Sequence, residues 1–245
     1  YKHLPTQNQD ERPISAQISV LVLHYTGMES AKAALHRMQD PTTKVSAHWC
    51  VDEDGKIYSL VPEKLRAWHA GLSYWRQKHL VNDISIGIEL VNPGHENGYR
   101  PFPANQMNSL TGLAKEILSR YRISAQNVVG HADISPRRKK DPGELFDWRR
   151  LSKNGIGLWP THLNKSKRYF QTLSRGSEGL NVKTLQQGLF NFGYGLSIDG
   201  IYGEESEAVI AAFQRHFRQA RVDGIADNAT ITILHNLLTQ IGTSN

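Results

Sequence analysis

The segment Ile18 to Leu23 is apolar at every position except Ser19, is rich in β-branched residues, and runs directly into a histidine, His24. Successive side chains of a strand point to opposite faces, so a run of this kind is stable only where both faces are covered. That requirement alone calls for a layered fold. The turn-like pair Thr26-Gly27 follows, and Ser30 then precedes the helix formers Ala31 to Met38, closed by Pro41. A helix straight after a buried strand begins an α/β layer.

His48 to Val51 and Lys56 to Val61 flank Asp54-Gly55, a short hairpin signal, which predicts two antiparallel strands added to the sheet. In Ile84 to Leu90 the apolar residues Ile84, Ile86, Ile88 and Leu90 alternate with Ser85, Gly87 and Glu89, so Glu89 lies on the face opposite the isoleucines. Met107, Leu110, Leu113, Ile117, Leu118 and Tyr121 recur at helical spacing and predict a helix over Met107 to Tyr121. Val128-Val129 then reads as a short strand ending at Gly130-His131. Two histidines at the exits of two buried strands fit the rule that open α/β sheets bind ligands at the carboxyl ends of their strands.

Leu151 to Lys167 has no clear period and reads as a tail and linker. From near Ser174 the pattern changes to an internal repeat. Asp199-Gly200-Ile201 leads into the apolar stretch Ala208 to Phe217, and Asp223-Gly224-Ile225, 24 residues later, leads into Ile231 to Leu238. Val182, Leu185, Leu189 and Phe192 form an amphipathic helix before them, so three short helices joined by Asp-Gly turns make a small bundle. The turns lack the further ligand positions of a calcium loop. The predicted architecture is an α/β domain with a mixed central sheet flanked by helices, residues 1–167, followed by a small all-α three-helix domain, residues 168–245.

The net charge of +6 draws the chain toward polyanions, but its densest basic run, Arg137 to Lys140, sits inside a candidate catalytic loop, which argues against nucleic acid as a partner. A single cysteine, Cys50, rules out an intramolecular disulfide. No stretch approaches the roughly 20 apolar residues of a membrane span.

Among 11 histidines, His24 and His131 stand out because each follows a buried strand and enters a loop. Asp141 follows His131 in a loop broken by Pro136, Pro142 and Gly143, which can bring its carboxylate to the same ion. Two imidazoles and a carboxylate supply three metal ligands and leave a fourth position for water. Hydrolysis of an amide by that water needs a proton acceptor, for which Glu89 is placed, and a stabiliser of the oxyanion, for which Lys139 is placed. Read alone, alternation favours Glu89 as a surface charge, and Lys139 belongs to a basic run of the kind usually just solvated.

The fragments VLHYTG, SAHWCVDEDGKIY, WHAG, NDISIGIEL, GHADISPRRKKDPGELFDW and GIGLWP, in that order across about residues 15–160, resemble the AmpD-like (AmiD-type) branch of the zinc N-acetylmuramoyl-L-alanine amidases. These are related to peptidoglycan recognition proteins and phage amidases. The resemblance implies Zn²⁺ held by His24, His131 and Asp141, with Glu89 and Lys139 as the catalytic pair. Trp68, His69 and Asn82 match positions near the family's substrate groove. Arg137 stands where members often have glycine, and Lys140 where threonine is commoner, which bears on which lysine acts. From VKTLQQGLFNFGY to DGIADNATITIL the chain resembles the three-helix peptidoglycan-binding domain, implying a module that anchors the enzyme to its polymer.

The expected reaction is hydrolysis of the amide between N-acetylmuramic acid, intact or anhydro, and L-alanine of the stem peptide. Two rivals share parts of this reasoning: a non-catalytic peptidoglycan receptor, and a zinc endopeptidase or carboxypeptidase cutting between peptide residues. The expected setting is the bacterial cell envelope, in the periplasm, as a monomer. A lipid anchor outside this sequence, holding the protein to the outer membrane, is left open.

Overall fold

The computed structural model describes residues 1–161 and 170–242. Its strands are β1 (Lys2–His3), β2 (Gln9–Glu11), β3 (Val20–Tyr25), β4 (Trp49–Val51), β5 (Ile57–Ser59), β6 (Leu65–Ala67), β7 (Tyr74–Trp75), β8 (Lys78–His79), β9 (Ser85–Leu90) and β10 (Val128–Gly130). The helices are α1 (Ala31–Gln39), α2 (Ala104–Arg120), α3 (His131–Ile134), α4 (Trp148–Lys153), α5 (Leu180–Phe192), α6 (Glu204–Phe217) and α7 (Asn228–Gly242).

A six-stranded mixed sheet in the order β1-β5-β4-β9-β3-β10 forms the centre. The strands β10, β3, β9 and β4 run parallel, and the β4–β5 hairpin adds the antiparallel pair that Asp54-Gly55 predicts. The strand within the Ile18 to Leu23 run starts at Val20, and just before it the Ser19 N–H donates to the Ile84 carbonyl at the start of β9. Ser30 caps α1, its hydroxyl accepting the Ala33 N–H at 3.2 Å. The predicted helix at Met107 starts a turn earlier, at Ala104 after Pro103, where polar residues carry no period to read.

Alternation along β3 sorts its side chains to two cores. Leu21 and Leu23, with Ile86, Ile88 and Leu90 of β9, pack under α2 through Met107, Leu110, Leu113 and Ile117. Each such fully buried leucine or isoleucine contributes about 1.5–3 kcal/mol over an exposed one. Val20 and Val22 face the other way and share a core with Val129, Ala132 and Ile134, and also with Phe192, Tyr194, Phe213 and Phe217 from the region after residue 170. The helical bundle is therefore a covering layer of the sheet, on the same face to which alternation directs His24 and Glu89.

Within the bundle the two Asp-Gly turns are built alike. The Gln186 side-chain Oε1 accepts the Gly200 N–H while its Nε2 donates to Asp199 Oδ1 and the Ile201 backbone carbonyl. Gln214 does the same for Gly224, Asp223 and Ile225. The aspartates are thus spent on structural turns. The domain boundary expected at residues 167 and 168 lies outside the described residues. Among those described, no helix is long and apolar enough to cross a membrane.

Candidate metal centre and catalytic cleft

Parallel register places His24 of β3 beside Glu89 of β9, one strand apart on one face. His131 is the first residue of α3, where β10 ends. Gly130 lets the loop return against that strand end: a Cβ there would meet Pro142 Cδ at 2.6 Å. The close approach allows the Ala132 N–H to donate to the Asp141 carbonyl at 2.8 Å, which brings the Asp141 side chain round to the histidines.

His24 Nδ1 and His131 Nδ1 lie 3.0 Å apart, and each is 3.1 Å from Asp141 Oδ2. All three residues are buried, at 1%, 4% and 6% exposure. His131 Nε2 faces the Ala70 carbonyl at 3.1 Å and so must carry the proton, which leaves Nδ1 as a bare lone pair. On the far side of His24, Nε2 lies 3.0 Å from His69 Nδ1, and His69 Nε2 lies 3.1 Å from Ser85 Oγ. A proton on His24 Nε2 donated to His69, and one on His69 Nε2 donated to Ser85, satisfies both bonds and turns the His24 Nδ1 lone pair inward. Three electron-rich atoms then converge in a buried space. The separations approach the edges of about 3.3 Å of a tetrahedron with bonds near 2.0 Å, so the donor set fits a small divalent cation such as Zn²⁺.

The electrostatics agree with that fit. Burial, and then the neighbouring His131, pushes His24 down to about 4, so its imidazole is neutral at physiological pH, the form that ligates. Burial alone would raise the Asp141 carboxyl, yet the two imidazoles hold it well below the usual carboxylate range. Glu89 goes the opposite way: burial, then the charge of Asp141, pushes it up to about 8, with Lys139 opposing. Its Oε2 is buried without a hydrogen-bond partner in the protein, a costly condition for a polar atom.

Residues 14–144 match the family described as N-acetylmuramoyl-L-alanine amidase, and residues 178–234 match a putative peptidoglycan binding domain. The chain belongs to the N-acetylmuramoyl-L-alanine amidase family. It is 40% identical over 241 residues to the amidase AmiD of Escherichia coli strain K12, covering 92% of this chain and 84% of that one. To the 1,6-anhydro-N-acetylmuramyl-L-alanine amidase AmpD of Enterobacter cloacae it is 32% identical, covering 61% of this chain and 87% of that one. The structure is similar to E. coli AmiD in complex with the substrate anhydro-N-acetylmuramic acid-L-Ala-D-γ-Glu-L-Lys, with TM-score 0.80, 38% identity and coverage of 95% and 93%. AmpDh3 from Pseudomonas aeruginosa in complex with anhydromuramic pentapeptide matches with TM-score 0.80 at 30% identity, over 94% of each chain.

In this amidase His131 and Asp141 open into a cleft of about 480 Å³, also lined by Glu89, Lys139, Trp68, His69 and Asn82, with His24 buried against these two donors. The sequence-named residues other than His24 thus surround one space, in different roles. His69 is buried behind His24, and Gly87 makes its room, since a Cβ there would lie 2.5 Å from the His69 ring. Asn82 Oδ1 accepts the N–H groups of His69 and Ala70, which fixes the loop that carries His69. Trp68 donates its indole N–H to Asp10 at 2.6 Å. His48, part of the same run of motifs, is buried with Nδ1 accepting the Gly87 N–H at 2.9 Å.

Of the two lysines in the loop, Lys139 is half-buried and its charge acts on Glu89, whereas Lys140 is exposed at the rim. Arg138 is tied by its guanidinium to the Ala70 and Leu72 carbonyls. Sequence reasoning missed Tyr25 and His95, which also line the cleft and are joined by a 2.9 Å bond. Tyr25 directly follows His24, and that adjacency was the available signal. A larger groove, about 1190 Å³, lies between α5 and α7, remote from the metal donors.

Proposed function

We propose that this amidase is a zinc enzyme that cleaves the bond between the lactyl group of N-acetylmuramic acid and L-alanine of the stem peptide, with His24, His131 and Asp141 holding the ion. The observation that carries the reading is the convergence of three lone-pair donors beside an unpartnered, partly buried carboxylate. A zinc ion bound there supplies an acidified water and polarises the scissile carbonyl. Glu89 accepts the proton of the attacking water and returns it to the departing amine, so the C–N bond breaks as the new C–O bond forms. Lys139 neutralises the negative charge that develops on the carbonyl oxygen. Trp68 and Asn82 shape the wall against which the substrate lies, and Arg37, Lys44 and Lys140 give the rim a positive charge suited to a peptide with free carboxylates.

The division into a catalytic unit, residues 1–167, and a wall-binding unit, residues 168–245, is supported by the two family matches on either side of it. Action on peptidoglycan places the protein in the bacterial cell envelope. We assign it to the periplasm, where a wall-binding unit and the polymer meet, working as a monomer.

Mass spectrometry of products from a purified anhydro-muropeptide tests the reaction. Free stem peptide beginning with L-alanine, together with the released sugar, is the expected result. Shortened peptides still attached to sugar would instead mean a peptidase, and tight binding without any product would mean a receptor.

A further inference from the structure

The metal ligand His131 sits on α3, a helix of only four residues, His131 to Ile134. One turn this short makes almost none of its own stabilising bonds, so the direction of His131 depends on what grips the turn from outside. The grip comes largely from Asp133, which is 2% exposed. Its Oδ2 accepts the Gly130 N–H at 2.7 Å, closing the turn onto the end of β10. The remaining donors come from the helical domain: Tyr194 OH bonds Oδ1 at 2.6 Å, and His216 Nδ1 bonds Oδ2 at 2.8 Å.

Both donors are themselves held. The His216 ring stacks on Trp148 with centroids 3.7 Å apart and on Phe217 at 3.8 Å, so it is sandwiched between the two domains. Tyr194 is fully buried in the core that also takes Val20, Val22, Val129, Ala132 and Ile134 from the sheet and from α3 itself. Further bonds cross the same boundary on either side: Arg76 N–H to the Gly193 carbonyl at 2.9 Å, Gln219 to the Phe146 carbonyl at 2.5 Å, and Gln126 to the Phe192 carbonyl. A flexibly tethered anchor would not need a buried carboxylate shared between its partner's metal-bearing turn and two of its own side chains.

We propose that Asp133, Tyr194 and His216 form a clamp through which the helical domain sets the orientation of His131, making the wall-binding unit a structural part of the metal centre. This rests on the reading of His131 as a metal ligand. The three are positioning residues: they act through the turn that carries His131 and touch neither substrate nor ion. Supporting partners of this kind change metal affinity by about 10- to 100-fold when removed.

The test compares two full-length variants that each lose one buried phenol hydroxyl of the helical domain. Tyr194→Phe removes the bond to Asp133. Tyr202→Phe removes a 2.7 Å bond to the Gly224 carbonyl that has no link to α3. Zinc affinity is read by competition with a chelator, thermal unfolding by calorimetry, and kcat and KM on a soluble anhydro-muropeptide, for which wall anchoring is irrelevant. The expected result is zinc affinity weakened about tenfold and kcat lowered at unchanged KM in Tyr194→Phe alone, while both variants lose similar thermal stability. Wild-type zinc affinity in Tyr194→Phe, or equal weakening in both variants, overturns the clamp. Asp133→Asn, which keeps the side chain's shape but turns an amide toward the donors, is expected to weaken zinc at least as much as Tyr194→Phe. Full zinc occupancy in His131→Ala would instead overturn the ligand assignment beneath the proposal, so the two failures are distinguishable.

Discussion

The Asp-Gly turns of the helical domain and the cleft on the sheet treat their polar groups in opposite ways. In the helical domain the side-chain amides of Gln186 and Gln214 close the two Asp-Gly turns with matching sets of bonds, so each motif is complete in itself. On the sheet face opposite α2, three donors crowd within about 3 Å of one another and the Glu89 carboxylate keeps an oxygen without a partner. The first arrangement is finished by the chain alone. The second leaves three converging lone pairs and a carboxylate oxygen unpaired, the arrangement that the proposed zinc, water and substrate would complete.

Substitutions at the two sites should separate along the same line. The largest effect is expected from His131→Ala, which should empty the site of zinc by elemental analysis and lower turnover at least about a thousandfold, since both the nucleophile and the electrophile depend on the ion. Glu89→Gln comes next: zinc occupancy stays full while kcat falls about a hundredfold, the usual scale for a lost general base. Near-normal turnover in that variant would remove Glu89 from the mechanism.

The pH profile sharpens this point. Glu89 must be ionised to accept a proton, and burial raises its pKa to about 8 in the metal-free protein. Activity is therefore full above the pKa and lost as pH falls through it. A bound cation favours the carboxylate, so the acidic limb of kcat/KM should lie below 8 in the zinc form, and the limb assigned to this group should vanish in Glu89→Gln. The smallest functional effect is expected from Gln186→Ala. Unfolding should show a loss of about 1–3 kcal/mol for the buried groups left unpaired, with zinc affinity unchanged. A loss of zinc there would erase the contrast between the two regions.

Much of this was legible because strand periodicity carries direction as well as position. Alternation in Ile84 to Leu90 was enough to send Glu89 to the face opposite α2, and the apolar run before His24 was enough to bury it. The 24-residue Asp-Gly repeat likewise predicted turns that the structure shows in duplicate. Other features leave no periodic trace. Gly87 reads as one more small residue in a strand, and only the 2.5 Å clash that a Cβ there would make with the His69 ring explains why that ring can stand behind His24. Asp133 looks like an ordinary residue near a helix start, and Tyr194 follows Gly193 in a stretch without pattern. Their meeting depends on how two domains pack, and such contacts between distant segments are not written in local spacing.

The register that pairs His24 with Glu89 has a mechanical consequence. Neighbouring strands are held about 4.8 Å apart by their backbone ladder, whatever side chains they carry. The backbone spacing between Glu89 and His24 is therefore a property of the sheet itself, as stiff as its hydrogen bonds. Loops around the cleft can change to admit different sugars or peptides, while this spacing acts as a fixed ruler beneath them.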